Sequence, residues 1–141
     1  MTRTPAVAGG TLVLDSDGLA KAVQRDRDVT SWLALARADD MRVITSAATL
    51  VEVVHPRIRR PALEWTLSRI VVEPVTEEIA RHAAALLGDA GLHGHKYAID
   101  AMLCATALAG AGPGRGPVTV LTADPGDLMA FCGSRVTLTK I

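Results

Sequence analysis

Aromatic side chains are scarce in this 141-residue chain, which has two tryptophans, one tyrosine and one phenylalanine. A core must therefore be assembled from Leu, Val, Ile and Ala, a mixture that suits an α/β protein better than a β-sandwich. Cysteine is almost absent. Cys104 and Cys132 show no metal-ligand spacing and lie in apolar stretches, so two reduced thiols packed in a core are expected. Neither sign of charge is in excess, with 15 Lys and Arg against 15 Asp and Glu. Nucleic acid is then neither indicated nor excluded as a partner, because a local basic rim matters more than the total. No stretch approaches the roughly 20 apolar residues of a membrane span. Residues 1–10 lack a hydrophobic leader segment and read as a flexible arm. A cytoplasmic location without membrane association is expected. No internal repeat and no linker divides residues 11–141, which read as one domain.

Hydrophobic residues make up 49% of the chain, enough to bury a core without stapling. Short apolar runs alternate with helical periodicity. Leu12–Leu14, Arg42–Thr45, Ile70–Val72, Val118–Leu121 and Val136–Leu138 read as strands. Helices are expected over Gly18–Arg25, over Ser31–Arg37 with Ser31 as N-cap, and from a Ser46 cap through Val54, where Pro56 stops it. Others are expected over Ala62–Ser68, from a Thr76 cap to Gly88 or Gly91, over Ala98–Leu108 and over Pro125–Phe131. Gly110–Pro117 carries four of the twelve glycines and reads as a surface loop. Buried strands alternating with helices predict a three-layer α/β/α sandwich on a mainly parallel sheet.

In such sheets ligands bind beyond the carboxyl ends of the strands. Asp15 follows the first strand, and Asp124 and Asp127 follow the fourth. Glu52 lies on the helix leaving the second strand, among apolar neighbours, and Asp100 near the start of the buried helix. Four chain-distant acids can thus converge on one edge, Asp124 being the better fourth and Asp127 the reserve. Two carboxylates ~4 Å apart repel by roughly 4 kcal/mol at an effective dielectric of 20. Such a cluster must hold protons or a cation. An all-oxygen set suits Mg²⁺ or Mn²⁺, which can activate water and steady a leaving oxygen in phosphodiester hydrolysis.

The segments around these acids resemble the PIN-domain family, and within it the VapC-type toxins. Leu12-Val13-Leu14-Asp15-Ser16 is similar to the family's opening strand and first aspartate. Thr45-Ser46-Ala47-Ala48-Thr49-Leu50-Val51-Glu52 resembles its second motif. The third is resembled by Tyr97 to Ala107 around Asp100, and the last by Val120 to Leu128. The resemblance spans about residues 11 to 139. It implies a PIN fold, Mg²⁺ or Mn²⁺ held by Asp15, Glu52, Asp100 and Asp124, and cleavage of RNA. For VapC-type members it also implies a homodimer and a small antitoxin lying in a groove. The chain departs from the pattern in its lengthened Gly112–Gly116 turn, in the extra Asp17, and in having two acids near the fourth position.

Other residues carry weaker signals. Ser16 and Thr122 can bond a phosphate or a bound water, or simply stabilise turns. Arg57, Arg59, Arg60, Lys96 and Arg115 are candidates for gripping RNA phosphates, or a solvated face. His93-Gly94-His95 offers two imidazoles without further ligands at metal spacing. Trp32 and Trp65 suit a partner surface, with core packing the simpler role for at least one. The run Asp15-Ser16-Asp17-Gly18 also resembles the first motif of haloacid-dehalogenase-type phosphatases, but that reading leaves Glu52 and Asp100 without work. A catalytically silent PIN-like binding module is the non-enzymatic alternative. A receiver-type domain would pair acids after its first strand, and a serine hydrolase would need a nucleophile elbow, which this chain lacks.

Overall fold

The structure is a computed structural model that describes residues 9–92 and 94–141. The expected arm over residues 1–10 therefore falls mostly outside the described residues, as does His93. Five strands form one sheet: β1 (Thr11–Leu14), β2 (Arg42–Ser46), β3 (Val71–Glu73), β4 (Val118–Thr122) and β5 (Thr137–Lys140). Their order is β3-β2-β1-β4-β5, and every pairing is parallel. The strand connections are helices, among the described residues α1 (Ser16–Val23), α2 (Arg27–Ala38), α3 (Thr49–Val53), α4 (Arg60–Ser68), α5 (Glu77–Ala90), α6 (Gly94–Ala109) and α7 (Pro125–Cys132).

Alternation along the central strands builds two cores. Leu12, Leu14 and Leu121 face one side, where Leu19 and Ala22 of α1, Val29 and Ala36 of α2 and Val53 of α3 cover them. Val13, Ile44, Val118 and Val120 face the other, under Ala83 of α5, the buried face of α6, and Leu128 and Phe131 of α7. This is the expected three-layer sandwich, with β1 buried along its whole length. Side chains alternate across a strand, so a four-residue apolar strand serves both layers.

Local details differ from the sequence reading where side chains found other partners. Helix α2 begins earlier than expected, because Asp26 caps it by accepting the Val29 N–H at 3.1 Å. Ser31 instead donates to the Arg27 carbonyl inside the helix. Strand β2 runs through Ser46, whose hydroxyl accepts the Ala48 N–H at 3.1 Å, so α3 starts only at Thr49. Helix α5 passes through Gly88 and ends at Gly91, which takes the left-handed conformation (φ 66°) that glycine adopts without steric cost.

The cysteines require a correction. Cys104 on α6 and Cys132 at the end of α7 are joined in a disulfide, with their Cα atoms 5.6 Å apart, and are not two separate thiols. Each sits in its apolar stretch as expected, but α6 and α7 pack together on the same side of the sheet and bring the stretches face to face. A link across 28 residues removes about 3.5 kcal/mol of unfolded-state freedom. Reduction, or the Cys104→Ser/Cys132→Ser pair, is expected to lower the melting temperature by several degrees. Two titratable thiols in the unreduced, denatured protein, with melting unaffected by reductant, would show that the bond is not made.

Candidate functional site

Because all strands run the same way, their carboxyl ends share one edge, and the chain order reverses between β1 and β4. Such a switch point opens a crevice. A cavity of about 210 Å³ lies there, and its walls include Asp15, Asp17, Glu52, Asp100, Asp124 and Asp127. Ser16 and Thr122 line it too. The structure thus brings the four expected acids into one cavity, together with the reserve acid and both hydroxyls.

Asp15 is the most deeply held of them, at 7% exposure. It leaves β1 and caps α1, its Oδ1 accepting the Gly18 N–H at 2.8 Å. A Cβ at residue 18 would lie 3.1 Å from the Leu121 carbonyl oxygen, so glycine lets α1 start against the end of β4. The Thr122 hydroxyl accepts the Asp124 N–H at 3.0 Å and hydrogen-bonds the Asp15 carboxylate. Burial pushes the Asp15 carboxyl above its ordinary range, and these hydrogen bonds oppose the rise.

Glu52 is exposed rather than enclosed by its apolar neighbours, since the five-residue α3 buries only Thr49 and Val53. Its Oε1 is fixed by the Ser16 hydroxyl, which donates at 2.5 Å. The second motif is braced from beneath: the Thr45 hydroxyl donates to the Leu14 carbonyl at 2.6 Å, and Thr49 donates to the Ser46 carbonyl at 2.7 Å. The resulting bonds tie the Glu52 segment to the strand that carries Asp15.

Asp100 stands in the second turn of α6 and is partly buried. Its pKa is raised from 3.8 to about 6, first by burial and then by the charges of Glu52, Asp15, Asp127 and Asp17. Asp17, which the family pattern does not require, thus belongs electrically to the cluster. Its position two residues after Asp15 was the available signal. Of the two acids after β4, Asp127 is the one whose charge raises Asp100, whereas an Asp124 carboxylate oxygen lies 3.4 Å from where a Cβ on Gly126 would stand.

The basic candidates are arranged differently. None of Arg57, Arg59, Arg60, Lys96 and Arg115 lines the acidic cavity. Arg59 and Arg60 open α4, Lys96 lies over the Tyr97 ring, and Arg115 reaches the Ala109 carbonyl in the loop before β4, at the opposite edge of the sheet. Trp32 packs on the core formed by α1 to α4. Trp65 is 46% exposed and flanked by Arg25 and Arg69 at 5.2 and 4.8 Å from its ring centre. It borders a separate groove of about 700 Å³ between α2 and α4, lined also by Leu33, Arg37 and Ile70.

Among the described residues, no three His, Cys, Asp or Glu side chains stand close enough together to form a ready-made metal cage. The donors nevertheless fit a hard divalent cation. They are all oxygen, they crowd negative charge, and they hold two carboxyls above their ordinary range. Mg²⁺ commonly keeps several waters and takes one or two carboxylates, so a preformed cage is not required.

The raised Asp100 value sets a pH dependence. The folded chain binds this proton more firmly than the unfolded chain, so stability falls as pH rises from about 4 through about 6. In metal-free protein, Asp100→Asn should raise the melting temperature by a few degrees at pH 7.5, an advantage that vanishes near pH 4. Melting curves across that range check it, and a difference independent of pH would contradict it.

The comparisons agree with this architecture. A chain in the crystal structure of VapBC2 from Rickettsia felis bound to a DNA fragment from their promoter superposes with a TM-score of 0.68 at 16% identity, covering 93% of this chain and 98% of that one. A chain of a toxin-antitoxin complex from Klebsiella pneumoniae superposes with a TM-score of 0.64 at 21% identity, covering 92% and 99%. No curated protein matches the sequence significantly. The PIN domain family matches residues 12–126, a span that contains every acid of the cavity except Asp127, and the chain belongs to that family.

Proposed function

We propose that the chain is a divalent-metal-dependent ribonuclease acting as the toxin of a toxin–antitoxin pair. The observation that carries the nuclease reading is the convergence of Asp15, Glu52 and Asp100, with Asp124 and Asp127 beside them, on one cavity of a PIN domain. Asp15, Glu52, Asp100 and either Asp124 or Asp127 would hold Mg²⁺ or Mn²⁺. The ion supplies charge neutralisation and Lewis acidity toward a phosphodiester. The chain's own part is positioning. Gly18 and Thr122 fix Asp15, and Ser16 fixes Glu52, leaving the carboxylates oriented before substrate arrives. Asp100, raised to about 6 by burial and the neighbouring carboxylates, is the acid whose charge a bound cation would most relieve.

The toxin role is supported by the likeness to the two toxin–antitoxin structures. The groove at Trp65, with its apolar floor and arginine rim, is the surface we assign to the antitoxin. A homodimer and a cytoplasmic location belong to the same reading. No helix among the described residues is long and apolar enough to cross a membrane.

Purified protein should cleave single-stranded RNA with Mg²⁺ or Mn²⁺ and stop when the metal is chelated. Asp15→Asn and Asp100→Asn should each lower the rate by more than about 100-fold, since even outer-shell changes cost 10- to 100-fold. Equal cleavage by wild type and both variants would remove the proposed site. Trp65→Ala should weaken binding of the antitoxin by about tenfold or more, as truncating a central tryptophan usually does. Unchanged affinity would place the antitoxin elsewhere.

A further inference from the structure

Next to the acidic cavity lies a second one of about 310 Å³. The two share Ser16, Asp17 and Glu52, so they are adjoining parts of one cleft. The far part is chemically different. Ala20 and Val23 of α1, Val53 of α3 and Ile58 of the following loop give it apolar walls. Val23 and Val53 are 7% and 4% exposed, and Ala20 and Ile58 pack on the core beneath α1 to α4. These walls are therefore fixed.

Two polar side chains complete the cavity, Gln24 and His55, and neither serves the acidic cluster. Gln24 ends α1, where its backbone N–H is already bonded to the Ala20 carbonyl. Its carboxamide offers a donor and an acceptor side by side. His55 accepts the Arg57 N–H on Nδ1 at 3.1 Å, so the ring proton resides on Nε2, which is left to donate. The Ser16 hydroxyl is committed to Glu52 and adds no donor here. Apolar walls with a few convergent polar groups describe a site for a flat, largely uncharged ring.

Charge decides what such a ring is attached to. Asp17 and Glu52 stand on the boundary between the two parts and repel a second phosphate. A nucleobase is neutral, and in a nucleotide chain it hangs within one sugar of the phosphate. We propose that this pocket receives the base adjoining the phosphate that is cleaved, with Gln24 and His55 reading its polar edge. The inference rests on the nuclease reading above and gives that site a source of sequence preference. Good side-chain contacts to a base edge discriminate by about 5- to 150-fold.

The test uses the full chain with Mn²⁺ and single-stranded RNA oligonucleotides that differ at the positions flanking the cut. Relative kcat/KM values are read for each base in competition. Wild type should prefer one base, or a pair of related bases, by about tenfold at a position next to the cut. Gln24→Ala and His55→Ala should reduce that preference to about threefold or less. Gln24→Glu, which keeps the size of the side chain and removes its donor, should change the order of bases and covers the case in which the alanine variant fails to fold. A wild type without base preference, or variants that retain the wild-type preference, would overturn the pocket assignment while leaving the nuclease standing. Failure of wild type to cut any RNA defeats the nuclease reading itself, and the pocket assignment with it.

Discussion

Carboxylates repel one another, and this fold gathers six of them around a single small cavity. The gathering follows from strand direction. With all five strands parallel, whatever follows β1 and β4, and whatever leaves β2 on a helix, arrives at the same edge of the sheet. A pair of carboxylates 4 Å apart costs about 4 kcal/mol at an effective dielectric of 20, so the remainder of the structure must tolerate a standing electrostatic penalty. It does so with hydrogen bonds at two of the anchors. Gly18 and Thr122 hold Asp15, and Ser16 holds Glu52. Asp100 has no equivalent support and answers the field by retaining its proton to about pH 6.

The architecture was largely legible in the sequence because its signals are short-range and redundant. Leu12 to Leu14 is apolar throughout, as a strand buried on both faces must be, and Thr76 with Glu77 and Glu78 announces α5 by capping and charge. The site was legible for a related reason. Once Asp15 and Asp124 are tied to strand ends, Glu52 to the helix beyond β2 and Asp100 to the start of the helix that leads back into β4, a parallel sheet leaves them little choice but to meet. Boundaries were less legible where two caps compete within a few residues, as Asp26 and Ser31 do before α2.

What the sequence hid were contacts between elements. Nothing in the spacing of Cys104 and Cys132 announces a bond, because 28 residues that include a loop and strand β4 separate two helices that happen to pack together. Glu52 looked enclosed by its neighbours, yet Val51 beside it is 78% exposed, since a five-residue helix at the rim cannot bury every apolar side chain. Asp17 looked superfluous and proves to be a charge that Asp15 and Asp100 both feel. Arg115 was readable equally as a phosphate contact or as part of a solvated loop, and the topology puts that loop at the amino edge of the sheet, away from the acids.

Helix α1 links these observations, since its eight residues and the two that follow border three cavities. Ser16 and Asp17 face the acids, Ala20 and Gln24 the adjoining pocket, and Ala22 and Arg25 the groove at Trp65. Its two ends are held by different contacts. The N-terminal end is clamped by the Asp15 cap and by the close approach of Gly18 to the Leu121 carbonyl. The C-terminal end runs into Arg25, which is one of the few non-glycine residues with positive φ (58°) and whose guanidinium lies over Trp65. Backbone bonds from Gln24, Arg25 and Asp26 back to Ala20, Ala22 and Lys21 close this end, and Ala22 and Val23 are buried beneath it. Fixed at both ends, α1 holds the acids, the adjoining pocket and the groove at Trp65 in one arrangement.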